Sequence, residues 1–211
     1  MVCRISLLTR IEKEFAKDLK PQLPKIREVA IVVDSAASLN KDSSLEGIYV
    51  VPMVVSFGNK TFLDGQEMNS LEFYKKLTET EELPKTSAPS PQQFLETFQR
   101  ASRNARSILC LTVGSSFSRS VESALIAADE ASKDLTGTEI RVLDSGSASG
   151  GQALITLAAW RAASSGLGLE EVVSVASAVI NKVKILAFLD TLYYLWKGGR
   201  VPKFVHAGTT I

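Results

Sequence analysis

The segment "EVAIVVDSA", Glu28 to Ala36, decides how the rest of the chain is read. Apolar, mostly β-branched residues run from Val29 to Val33 before giving way to Asp34, Ser35 and Ala36. A run that is apolar on both alternations predicts a strand covered on both faces, as in parallel sheets. Its carboxyl end then opens into a loop of small polar residues.

The same pattern recurs downstream. "SILCLTVG" (107–114) and "EIRVLDS" (139–145) read as further strands, each again followed by serines. "IYVVPMVVSF" (48–57) is another, with Pro52 predicting an edge or a break because proline offers no N–H to a ladder. "FLDGQEMN" reads as a turn, and Asn69-Ser70-Leu71-Glu72 is a capping-box start for a helix through Leu77. "PQQFLETFQRAS" sets Phe94, Leu95 and Phe98 on one helical face. "SRSVESALIAADEASKDL" is expected to turn Val121, Leu125 and Ala128 inward. "ASGGQALITLAAWRAAS" is a helix opening on glycines, with Gly150 and Gly151 suited to close helix–strand packing. Strands alternating with helices predict an α/β fold: a parallel-sheet domain with helices on both faces.

Three segments are expected. Residues 1–28 form an N-terminal helical extension, since Ile5, Leu8, Ile11, Phe15 and Leu19 recur at steps of three and four. Residues 29–149 form the α/β domain, and 150–211 the start of a second α/β domain that stops before it closes. In that last segment "LEEVVSVASAVINKV" predicts a helix and "KILAFLDT" a strand. "LYYLWKGGR" predicts a short aromatic helix ended by Gly198-Gly199.

Composition narrows the function classes. The 211 residues are 45% hydrophobic and 22% charged, which is ordinary for a globular protein with a sizeable core. A net charge of +1 lacks the basic excess of a nucleic-acid binder. No apolar run approaches the ~20 residues of a membrane span, and no signal peptide is legible, so a cytoplasmic location is expected. His206 is the only histidine and lies near the C-terminus, which disfavours a Ser-His-Asp or Cys-His system. Cys3 and Cys110 have no metal or redox spacing, and Cys110 within "ILCLTV" reads as core. "DSGSASGG" matches neither dinucleotide-binding nor P-loop spacing. Neither metal nor cofactor is called for.

What remains is hydroxyls at strand ends. "DSAAS", "GSSFSRS" and "DSGSASGG" all follow strands, where open α/β sheets gather ligands. Such groups, with helix N-termini, hold anions without reacting with them. The loop "TSAPSPQQF" (86–94) fits this. Ser90-Pro91-Gln92-Gln93 is a capping box with proline at the first helical position, leaving Thr86 and Ser87 unexplained by the cap. Ser118 stands where it would cap the following helix, a role compatible with contacting an anion. Asp34 reads equally well as a loop-bracing carboxylate and as a ligand, and Arg200 as a solvated helix-end charge.

An ordered series of segments resembles the DegV family of bacterial fatty-acid-binding proteins. They are "VVDSAASL" (32–39), "VVPMVVSF" (50–57), "FLDG" with "EFYKKL", "TSAPSPQQF", "GSSFSRSVESA" (114–124), "VLDSGSASGGQ" (142–152) and "DTLYYLWKGGRV" (190–201). The resemblance implies a two-domain α/β fold holding a long-chain fatty acid such as palmitate as its ligand. It implies a carrier that presents the acid to a fatty acid kinase, and not an enzyme. Carried over, Thr86 and Ser118 would hold the carboxylate, with Arg200 near the head group. Asp34, Ser35, Ser87 and Arg119 are further candidates for the head group or its pocket.

The chain departs from the family pattern in three places, the first being Val33, which stands where the family has a threonine before Asp34-Ser35 and so loses one hydroxyl. Arg119 replaces a glycine, and would either strain a position needing positive φ or add a charge partner for the head group. Typical members also continue beyond the Gly-Gly-Arg segment, which implies a shortened second domain here. Two alternatives therefore stay open: a truncated non-binding fragment, and a subunit of a phosphoryl-transfer enzyme.

Overall fold

The structure, a computed structural model, describes residues 26–39, 45–80 and 82–201. Residues 1–25 of the expected N-terminal helical extension and His206 lie outside them, while Arg27 and Glu28, placed in that extension, belong to the first strand.

The apolar run at Glu28 lies in strand β1 (Arg27–Asp34), at the heart of a four-stranded parallel sheet. Strand β2 (Ile48–Val51) pairs on one side, with Ile31 opposite Ile48. Strand β6 (Ala105–Thr112) pairs on the other, with Val32 opposite Cys110. Strand β7 (Glu139–Asp144) forms the far edge, giving the order β2-β1-β6-β7. Progression along the sheet reverses at β1, so the chain ends of β1 and β6 flank a topological switch point.

Alternation divides the sheet into two apolar faces, as predicted. Ala30, Val32, Ile108 and Cys110 pack with helix α2 (Pro91–Ser102), through Phe94 and Phe98, and with helix α3 (Ser120–Asp134). Val29, Ile31, Val33, Leu109 and Leu111 pack with helices α4 (Ser149–Ser164) and α5 (Leu169–Ile180). Cys110 is fully buried, and burial pushes its thiol pKa well up, with the Asp34 charge adding to the effect.

A second, antiparallel sheet has the order β4-β3-β5, from β3 (Val54–Phe57), β4 (Lys60–Leu63) and β5 (Lys85–Ser87). Its apolar side, Val55, Phe57 and Phe62, packs with Met68 and with Phe73 of helix α1 (Ser70–Glu79). Pro52 is the break between the two sheets, just after β2. The Asn69 and Ser90 capping boxes form as predicted: Asn69 with Glu72 and Ser90 with Gln93 each exchange two bonds.

Several expectations are corrected. A domain boundary at 149/150 would cut through the core, because Ile155, Trp160, Leu169 and Val172 pack on the β1–β6 face. The helical layer belongs to the first sheet through Ile180. In α3 the buried residues facing the core are Ala124, Ala127 and Ala131, with Ala128 partly buried against it as expected; Leu125 is 53% exposed and Val121 only half-buried. Alanines suit the close approach of this helix to the sheet. "KILAFLDT" forms no strand: no described strand pairs with it, and Phe188 is 97% exposed. The predicted loop at Thr86 instead contains β5, because Val55 offers a pairing edge that local sequence does not show.

Candidate functional site

The polar groups at the strand ends fall into three layers. Deepest is Asp34, at 0% exposure. Its Oδ2 accepts from the Val113 N–H at 2.9 Å and its Oδ1 from Gln152 Nε2 at 3.0 Å, joining β1, β6 and α4. Burial raises the carboxyl pKa, opposed first by the Gln152 bond and then by the Val113 bond. The Ser120 hydroxyl lies close enough to favour the charged form, yet makes no hydrogen bond of standard geometry. Asp34 is therefore a brace beneath the strand ends, and not an exposed head-group ligand.

The middle layer stitches loops together. Asp144 accepts from the N–H groups of Ser115 at 3.1 Å and Gly146 at 2.9 Å. Gly114 N–H donates to Ser147 O at 2.7 Å. A Cβ on Gly114 would lie 2.9 Å from the Gly146 carbonyl carbon, so this approach requires glycine. A Cβ on Gly151 would instead lie 2.1 Å from Ser147 Oγ, so a larger residue there requires that side chain to turn aside.

Ser35 joins this layer by a closed ring of hydrogen bonds. Its hydroxyl donates to Asp64 Oδ2 at 2.6 Å and accepts from the Met53 N–H at 3.0 Å. The Asp64 N–H in turn donates to Met53 O at 2.9 Å. A serine has one hydroxyl proton, and here Asp64 receives it, so Ser35 has none left for a ligand carboxylate.

The outer layer holds the remaining candidates. Thr86 is exposed on β5 opposite Val55, and Ser87, next in the strand, faces the other side. Helix α6 (Tyr193–Lys197) ends on Gly198, and Gly199 at φ 75° closes it. Arg200 N–H donates to Leu195 O and Gly199 N–H to Trp196 O, both at 2.9 Å, the Schellman pattern. That closure turns Arg200 back, and its Nη2 donates to Thr86 Oγ1 at 3.1 Å. Thr86 accepts this bond and keeps its own proton for a further acceptor.

Ser118 is half-buried before α3, its N–H bonded to Gly114 O at 3.3 Å. The helix cap is Arg119, without a side-chain cap bond, so the capping role expected of Ser118 is not filled. Among the described residues no hydrogen bond joins Ser118 to Thr86 or Arg200. Arg119 has φ −88°, so the glycine replacement carries no left-handed strain. Its guanidinium bonds Glu122 at 2.6 Å on the exposed surface.

Sequence reasoning missed Asp64, Asp144 and Gln152. Asp64 and Asp144 each stand at a strand end in a turn sequence, "LDG" and "LDSG", which is a signal for a bracing carboxylate. Gln152 had none. Among the described residues no helix is long and apolar enough to cross a membrane.

The class is set by this arrangement: a doubly wound α/β domain with an appended antiparallel sheet, Ser35 and Ser118 following the two strands that flank the switch point. The chain belongs to the DegV family, whose model, described as "uncharacterised protein, DegV family", matches residues 28–207. A DegV domain-containing protein of Caldanaerobacter subterraneus is 32% identical over 179 residues, covering 84% of this chain and 62% of its own length. Among solved structures, the Streptococcus pneumoniae fatty acid kinase (Fak) B3 protein, loaded with linoleic acid, superposes with a TM-score of 0.77. It is 28% identical, over 87% of this chain and 64% of that one. A stearic acid-binding protein of Eubacterium ventriosum gives a TM-score of 0.74 at 30% identity, over 87% and 64% of the two chains. This chain spans just over three-fifths of the length of these relatives.

Proposed function

We propose that this chain binds a long-chain fatty acid through its carboxylate, on Thr86 and Ser118, and presents it to a fatty acid kinase. In this reading it is a carrier and not a catalyst. The observation that carries it is the Arg200–Thr86 pair. A hydroxyl that accepts from a guanidinium is polarised toward donating its own proton, and the cation beside it favours an anionic head group.

The segment leading to Arg200 suits an acyl chain. Ile185, Leu186, Phe188 and Leu189 are all exposed apolar residues there. Covering such a surface with alkyl chain stabilises by ~0.8 kcal/mol per buried methylene. The stearic acid-binding and linoleic acid-loaded relatives support the same ligand class. A cytoplasmic location agrees with an intracellular kinase partner.

Native mass spectrometry of the purified chain tests the reading. The expected result is an added mass matching a long-chain fatty acid, with weakened acid binding in the Thr86→Ala, Ser118→Ala double variant. An empty protein whose acyl affinity is untouched by the double substitution would overturn it.

A further inference from the structure

The hydrogen-bond ring of Ser35, Met53 and Asp64 joins the two sheets. Each member belongs to a different piece of the fold. Ser35 follows β1 and sits next to Asp34, the buried brace of the four-stranded sheet. Met53 lies between β2 and β3, where the chain leaves one sheet for the other. Asp64 directly follows β4 of the small sheet, whose β3 pairs with β5 and so carries Thr86. Ser118, by contrast, follows β6 of the four-stranded sheet.

The ring is closed head to tail. Ser35 O–H donates to Asp64, Asp64 N–H to Met53, and Met53 N–H back to Ser35. Only the Ser35 hydroxyl both accepts and donates, so the bond from the Met53 N–H strengthens the one given to Asp64, in a partly buried setting. The Asp64 carboxylate is the one member that belongs to the small sheet's side-chain chemistry, and replacing it opens the ring.

We propose that Asp64 is a positioning residue: through Ser35 it fixes the small sheet, and with it Thr86, against the strand ends that carry Ser118. This rests on the fatty-acid reading above, since Thr86 and Ser118 share one ligand only if their sheets keep one relative placement. Asp64 touches no ligand itself.

The test compares wild type with Asp64→Ala, Asp64→Asn, Ser35→Ala and the Asp64→Ala, Ser35→Ala double variant. Two probes are used, stearic acid and octadecanol, which share an alkyl chain and differ in the carboxylate. Amide hydrogen exchange follows residues 54–57 and 85–87 against 29–33 and 108–112. Asp64→Ala is expected to lower acid affinity at least about fivefold, with alcohol affinity changed less than about twofold. Exchange in the small sheet should quicken while the four-stranded sheet stays protected. Asp64→Asn, which keeps an acceptor oxygen, should recover most of the loss, and the double variant should be no worse than Asp64→Ala. Equal loss for acid and alcohol, unchanged exchange, or additive effects in the double variant would overturn the positioning role alone. Wild type that binds neither probe would instead overturn the fatty-acid reading, and exchange would still report whether Asp64 holds the small sheet.

Discussion

Arg200 and Thr86, 114 positions apart in sequence, meet through a hydrogen bond of 3.1 Å from the guanidinium Nη2 to the threonine Oγ1. The contact joins the end of the last described helix to an edge strand of the small sheet. It depends on Gly199, whose left-handed φ of 75° reverses the chain after α6. A cation thereby stands beside a hydroxyl that still has a proton to donate.

Replacing Arg200 with alanine is expected to weaken binding of a long-chain fatty acid roughly two- to fivefold, the scale of an exposed charged contact. Arg200→Lys should fall between, because an ammonium does not reproduce a guanidinium that also donates to Gly198 O. Calorimetric titration at low and high salt measures this. A loss of equal size for the alcohol would place Arg200 outside the head-group site.

Asp34 gives a pH prediction with a definite sign. Its carboxyl is raised in the folded chain above 3.8, so folding takes up a proton between that value and the folded pKa. Its contribution is therefore fully present below the unfolded pKa and is lost as pH rises through the folded one. Relative to Asp34→Asn, wild-type stability should decline with rising pH in that window and then level. Urea unfolding from about pH 3.5 to about 7.5 follows it, spanning the ordinary carboxylate range and beyond. A difference that grows with pH would mean that the Val113 and Gln152 donors outweigh burial.

Gly114→Ala should cost about 1–3 kcal/mol, since the new methyl meets the backbone of the β7–α4 loop and not a movable side chain. The same displacement would shift the loop that carries Ser118, so acid binding should weaken alongside the thermal midpoint. An unchanged midpoint would show that the two loops part without loss.

The features legible in the sequence were the ones set by near neighbours. The strand at Val29–Val33 could be read because a strand covered on both faces is apolar at every position. The Asn69 and Ser90 caps could be read because both partners lie within three residues. The Gly-Gly after α6 announced a helix end for the same reason. Three readings failed where pairing is remote. Strand β5 exists because Val55 offers Thr86 an edge, and "KILAFLDT" stays unpaired because no described strand lies beside it. The boundary near residue 150 was misplaced because α4 and α5 bury their apolar faces on strands far earlier in the chain.

The site divides along the same line. Thr86, Ser118 and Arg200 came forward as candidates through the resemblance of their segments to the DegV family. Tertiary structure alone showed which aspartates and serines brace the fold. Asp34 and Ser35 stand side by side in a strand-end motif, yet one is buried and bonded to Gln152 and the other donates its hydroxyl hydrogen bond to Asp64. Sequence determines which groups a chain owns and which local bonds they make. Whether a given hydroxyl is still free to bind depends on which distant group reaches it first, and only the packed fold settles that.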